Sequence, residues 1–139
     1  MREDIRNVSI LLKSIIDGEQ TEHSYCGEYC FKDGSHCIAY RDYTGNAITM
    51  VGIEARDSAM LLHRVGYITA DMFFDPANDT IVKYEAQELA FDFILKTHGY
   101  QLCSDDKSLK IQVEYSLHDG SGELNIHGLQ DISINFINK

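Results

Sequence analysis

Five side chains within fifteen residues, His23, Cys26, Cys30, His36 and Cys37, are of the types that ligate soft transition metals. Their spacing argues against a shared ion. No Cys-x-x-Cys pair occurs anywhere, and on a strand Cys26 and Cys30 stand roughly 13 Å apart, too far for one zinc. If Asp33-Gly34 is a two-residue type I′ turn, the two histidines fall on one face of the hairpin and the three cysteines on the other. Cys30 then faces Cys37 directly, which leaves a disulfide or a two-ligand site open. No metal and no cofactor is expected.

Nucleophilic and phosphate-binding patterns are missing as well. There is no Gly-x-Ser-x-Gly elbow, no His-Glu-x-x-His and no Gly-x-x-x-x-Gly-Lys. Gly120-Ser121-Gly122 has no third glycine and no helix behind it, and Asp75-Pro76-Ala77-Asn78-Asp79 has no calcium-loop Gly or terminal Glu, so both read as turns. Catalysis is therefore disfavoured, and no catalytic residue is assigned.

What would position any chemistry is a run of strands. Period-2 alternation recurs from Val8 to Phe136, punctuated by Asp17-Gly18, Asp33-Gly34, Gly45-Asn46, Arg56-Asp57 and Asp75-Pro76, with a break at Gln87-Glu88. The last run, through Leu124, Ile126, Ile132, Ile134 and Phe136, is expected to bulge at Gly128. Helix competes only at Met1–Asn7, as a single turn, and at Tyr84–Lys96, where Leu89, Phe91, Phe93 and Leu95 keep the strand period. Residues 1–139 thus read as a single all-β domain, with little or no helix. The expected architecture is a closed antiparallel up-and-down barrel of about 8–10 strands, since closure alone removes exposed edges. A two-sheet sandwich would need long crossings that are not found.

The turns also set registers. Asp33-Gly34 pairs Tyr29 with Ile38, Gly27 with Tyr40 and Tyr25 with Asp42; Gly45-Asn46 pairs Ile38 with Ile53, Tyr40 with Val51 and Asp42 with Thr49. Taken as a two-residue turn, Arg56-Asp57 pairs Ile53 with Met60, Val51 with Leu62 and Thr49 with Arg64. One face then carries two apolar rows and a polar one, Tyr25, Asp42, Thr49 and Arg64. Enclosed by a barrel, this is a cavity with a polar end. Tyr25, Tyr29, Tyr40, Asp42, Thr49, Val51 and Leu62 would line it, and Arg64 would meet an anionic group. A structural Arg64–Asp42 pair, or an Arg64 that snorkels to water, is the plainer alternative. The opposite face pairs Ile48 with Val65, Met50 with His63 and Gly52 with Leu61, an apolar patch suited to a homodimer or to cover by residues 1–7.

Composition narrows the partners. The 139-residue chain is 44% hydrophobic and 24% charged, an ordinary globular balance. Twelve Lys and Arg against 22 Asp and Glu give a net charge of −10, which repels nucleic-acid phosphates and anionic membrane surfaces. No apolar run reaches the ~18 residues of a spanning helix, and the acidic start Met1-Arg2-Glu3-Asp4 is unlike a signal peptide. A cytoplasmic location with reduced thiols is expected. The function that follows is binding of a small, partly apolar ligand with a polar or anionic group inside the barrel. The alternative is a protein-interaction or homodimerisation module whose barrel is filled by its own side chains.

Several features, in this order and spacing, resemble the YwiB-like family of bacterial proteins. They are the first strand with its Gly18-Glu19 turn, Gly27-Glu28-Tyr29, Ile38-Ala39-Tyr40, Leu62-His63-Arg64-Val65-Gly66, Tyr84, Thr97 and the Leu109–Leu117 strand. The resemblance spans Val8 to Phe136. It implies a calycin-like (lipocalin-like) antiparallel barrel with no assigned activity. Two departures are Glu88, where the family pattern has glycine four positions after Tyr84, and the absence of the lipocalin Gly-x-Trp, since the chain has no Trp.

Overall fold

The computed structural model describes residues 5–43, 48–120 and 125–137. They form ten strands: β1 (Arg6–Ile16), β2 (Glu19–Lys32), β3 (Ser35–Asp42), β4 (Thr49–Ala55), β5 (Met60–Val65), β6 (Ile68–Phe74), β7 (Thr80–Ala86), β8 (Leu89–Ser104), β9 (Ser108–His118) and β10 (Asn125–Phe136). Each strand pairs antiparallel with its sequence neighbours, and β1 closes on β10, so the sheet is a ten-stranded up-and-down barrel. No helix occurs among the described residues. Arg6 and Asn7, placed in a helical turn by the sequence reading, instead begin β1 because each finds a partner in β2.

Alternation decides which side chains go inside. On β9, Leu109, Ile111, Val113, Tyr115 and Leu117 are all buried, while Lys110, Gln112 and Glu114 point to water. Val8, Ile10, Ile38, Met60, Phe74, Val82, Leu95, Ile132 and Ile134 complete a tightly filled interior, each at most 2% exposed. The two tightest hairpins follow their turn chemistry. Asp17-Gly18 and Asp33-Gly34 both have positive φ, 50° and 84° in one and 53° and 80° in the other, as a type I′ turn requires. Gln87, at φ 56°, takes the left-handed conformation in the β7–β8 turn.

Two expectations are corrected. The β4–β5 connection is a four-residue loop closed by Arg56 N–H donating to the Ala59 carbonyl at 2.9 Å, so Ala55 pairs with Met60, Ile53 with Leu62 and Val51 with Arg64. Arg-Asp has no preference for the left-handed conformations that a two-residue turn needs. The slip is of two residues, an even number, so Met60, Leu62 and Arg64 stay on the inner face, but Arg64 moves one rung deeper into the barrel. On the outside, Met50 now pairs with Val65, Gly52 with His63 and Glu54 with Leu61. The expected bulge at Gly128 does not form, since β10 runs in unbroken register with β1 and β9; the irregularity lies in β8, between Thr97 and Gly99. The Gly45-Asn46 turn, residues 1–4, Ser121-Gly122 and Leu124 lie outside the described residues.

Candidate functional site

Up-and-down connection sends alternate turns to opposite ends of the barrel. β1, β3, β5, β7 and β9 finish at one end, where their successors begin; β1 begins and β10 finishes at the other. The end where β1 begins and β10 finishes is aromatic. There the Tyr29 ring packs on Phe136 (4.8 Å between centroids), Arg6 lies 4.1 Å over the Phe136 ring, and the Tyr29 hydroxyl donates to His36 Nδ1 at 2.8 Å. Tyr29, counted above among the ligand-lining residues, therefore belongs to this plug and not to the polar end.

At the other end the inner wall turns polar. Gly27, Tyr40, Val51, Arg64, Ala70, Tyr84 and Phe91 are consecutive partners across β2 to β8. The small Ala70 next to Arg64 leaves room for a long side chain, and the bare Cα of Gly27 does the same for Tyr40. A Cβ on Gly27 would meet the Ala39 carbonyl oxygen at 2.5 Å and Tyr40 Cβ at 3.1 Å. Tyr25 stacks on Tyr40 at 4.5 Å and donates its hydroxyl to Asp42 Oδ2 at 3.3 Å, while Asp42 pairs with Thr49 across β3–β4. Val51 and Leu62 are buried wall residues (3% and 5% exposed) with only hydrocarbon to offer.

The structure thus brings Tyr25, Tyr40, Asp42, Thr49 and Arg64 to one end, and adds residues from strands that no local hairpin register reaches. The positive charge of Arg64 acts on Tyr40, Tyr84 and Tyr115. Burial is the larger effect at each: it pushes Tyr40 up to about 12 and raises Tyr84 and Tyr115 against the pull of the guanidinium. All three hydroxyls therefore remain protonated donors at neutral pH. Tyr84 spends its hydrogen weakly, on Met72 Sδ at 3.8 Å, and Tyr115 accepts one from Gln130 Nε2 at 3.4 Å. Among the described residues, three buried side-chain polar atoms have no partner: Arg64 Nε, Thr97 Oγ1 and Gln130 Oε1. All three residues lie on the inward-facing side of their strands, Thr97 directly opposite Tyr115 and Gln130 directly opposite Ser14. Orphaned buried polar atoms are rare in folded proteins and ask for a reason.

A second polar group, on the outer wall, was not read from the sequence. The β8 irregularity carries His98 over Ser116. His98 Nε2–H donates to Ser116 Oγ (2.8 Å), Ser116 donates to His118 Nε2 (2.9 Å), and His118 Nδ1–H donates to Asn125 Oδ1. His127 stacks on His98 at 6.1 Å and bonds Glu114 at 2.9 Å. Ser116 is only 6% exposed and its oxygen already both donates and accepts. That saturation makes the chain a tie across three strands and not an open nucleophile. The described residues gather no three His, Cys, Asp or Glu side chains in a metal-binding arrangement.

Described hollows also indent the outer wall. One apolar hollow, about 460 Å³, lies across β2–β5 between Ile5, Cys30, Cys37, Ala39, Gly52 and Leu61. Among the described residues no helix is long and apolar enough to cross a membrane.

Comparison with known proteins agrees with this architecture. The crystal structure of the ywiB protein from Bacillus subtilis superposes with a TM-score of 0.86 at 19% identity, over 98% of this chain and 96% of that one. No curated protein matches the chain. The model of a domain of unknown function, DUF1934, matches residues 9–130. With nearly the whole barrel matched, from the middle of β1 into β10, the chain belongs to the DUF1934 family.

Proposed function

We propose that this barrel is a cytosolic binding protein for a small, partly apolar molecule carrying an anionic group, taken up at the polar end. One observation carries the reading: every unpartnered buried side-chain polar atom among the described residues belongs to the inner wall around that end. Arg64 offers a cation and an unused N–H; Tyr40 and Tyr84 add hydroxyl donors; Gln130 and Thr97 offer oxygen acceptors. A carboxylate or similar anion matches the first group. A hydroxyl or amine elsewhere on the same molecule matches the second. The apolar body would lie against Val51, Ala70 and the tyrosine rings, with orientation set by a few convergent polar groups.

The second reading is a homodimer through the outer wall. Its support is two outward-facing apolar pairs, Met50 with Val65 and Leu61 with Phe73, on either side of the His63–Asp71 pair. Native mass spectrometry of freshly purified protein addresses both readings, since it reports bound small molecules and subunit number in one spectrum. The binding reading expects a discrete added mass on wild type that is lost from Arg64→Met, with a melting temperature within a few degrees of wild type. A bare wild-type monomer that also fails to bind an apolar anion such as anilinonaphthalene sulfonate would remove the proposal. A bare dimer would favour the outer wall.

A further inference from the structure

The thiols of Cys30 and Cys37 are not part of the polar end. They face each other across β2 and β3 on the outer wall, at the edge of the 460 Å³ hollow. From this geometry we infer that Cys30 and Cys37 form a dithiol–disulfide exchange site that accepts small cationic or neutral disulfides.

Placement comes first. The Asp33-Gly34 turn makes Lys32–Ser35 the hydrogen-bonded pair that closes the hairpin, and alternation then makes Cys30–Cys37 a hydrogen-bonded pair too. In such a pair the Cα atoms stand about 5.5 Å apart, within the range a disulfide can span. The Cβ atoms are wider apart than a relaxed disulfide prefers, so the bridge would be strained and easily reduced. Cys37 donates to the Ser35 carbonyl at 3.9 Å.

The two sulfurs are not equivalent. Burial, then the negative charge of a Cys30 thiolate and of Glu54, push the Cys37 thiol up. A thiol held protonated suits the second, resolving step, so Cys37 is assigned that step and Cys30 the first attack. The Cys30 thiolate displaces one thiolate from the incoming disulfide, leaving a mixed disulfide. Cys37 then loses its proton and attacks the Cys30 sulfur, expelling the second thiolate. Two protein thiols and one small disulfide become one protein disulfide and two small thiols, and two electrons pass to the small molecule.

The hollow selects the reagent. Ile5, Ala39, Gly52 and Leu61 give it an apolar floor, and Glu28 and Glu54 stand on its lining beside the sulfurs. With the chain at net −10, an anionic disulfide is repelled and a cationic one drawn in.

The test uses the full chain, cystamine as cationic probe and oxidised glutathione as anionic probe, with alkylation and peptide mapping. Cystamine is expected to yield a Cys30–Cys37 cross-link, whereas Cys26 and Cys103 end as simple adducts. Relative to free cysteine, cystamine should outpace glutathione disulfide by about tenfold, a ratio that shrinks with salt. Cys37→Ser should stop at the mixed disulfide on Cys30, and the reverse variant, Cys30→Ser, should react at position 37 about tenfold more slowly. The cross-link in wild type should reopen when excess cysteamine is added. Adducts at all four cysteines with no cross-link, or equal rates for the two probes, would overturn the inference.

Discussion

His36 shows how one side chain can tie stability to pH. It lies on β3 with Nδ1 accepting the Tyr29 hydroxyl, and burial pushes its imidazole below the usual 6.5, against a smaller opposing pull from Asp57. A depressed imidazole means that the unfolded chain binds the proton more readily than the folded one. The stabilisation is complete above about pH 6.5 and is lost as pH falls through the lower, folded value. Urea midpoints measured from pH 8 to pH 5 should therefore drop more steeply for wild type than for His36→Phe, whose ring keeps the stacking on Tyr29 but cannot titrate. Two parallel curves would show that protonation of His36 is not coupled to folding. The residue type was visible in the sequence. Its acceptor role was not, because Tyr29 had been read as a ligand-lining residue and the plug with Phe136 forms only when β10 closes on β1.

At the scale of elements, the legible parts are those that local chemistry decides. Asp17-Gly18 and Asp33-Gly34 turn where the sequence places them because both residues of each pair tolerate positive φ. Their registers, including Tyr29 with Ile38 and Cys30 with Cys37, follow directly. Arg56-Asp57 has no such constraint, and the longer loop there moved Arg64 by one rung. Gly128 misled for a different reason: its role is space, not conformation. A Cβ there would sit 2.4 Å from Tyr115 Cζ, because the tyrosine ring lies flat over β10 while packing edge-on against Phe74 at 5.2 Å. Gly128→Ala should thus cost about 1–3 kcal/mol of folding stability. Tyr115→Leu, which withdraws the ring, should absorb most of that penalty, giving a coupling of at least about 0.5 kcal/mol in a double-mutant cycle by chemical denaturation. Additive losses would mean that the Tyr115 ring moves aside freely.

For the whole molecule, closure creates the site and also its weakest seam. Arg64, Tyr84, Thr97, Tyr115 and Gln130 come from β5, β7, β8, β9 and β10, and no chain of local hairpin registers says which of them meet across the interior. That depends on strand number and stagger, which are properties of the closed barrel. The polar end was therefore legible as Tyr25, Tyr40, Asp42, Thr49 and Arg64, and illegible in its other half. The same closure is uneven. β1 is laddered to β2 from Arg6–Tyr29 to Ile16–Glu19, whereas β6 and β7 are registered only at Ile68–Ala86, Thr69–Glu85 and Ala70–Tyr84. That short ladder carries Ala70 and Tyr84, the neighbours of Arg64 on the inner wall. Regions with few ladder bonds open at lower free energy than the rest of a domain. Native-state hydrogen exchange should then show the amides of Ile68–Ala70 and Tyr84–Ala86 exchanging well before those of β1, β9 and β10, and an anion held by Arg64 should slow them selectively. Uniform protection around the barrel would mean that the seam does not open ahead of global unfolding, and entry to the polar end would have to come through its turns instead.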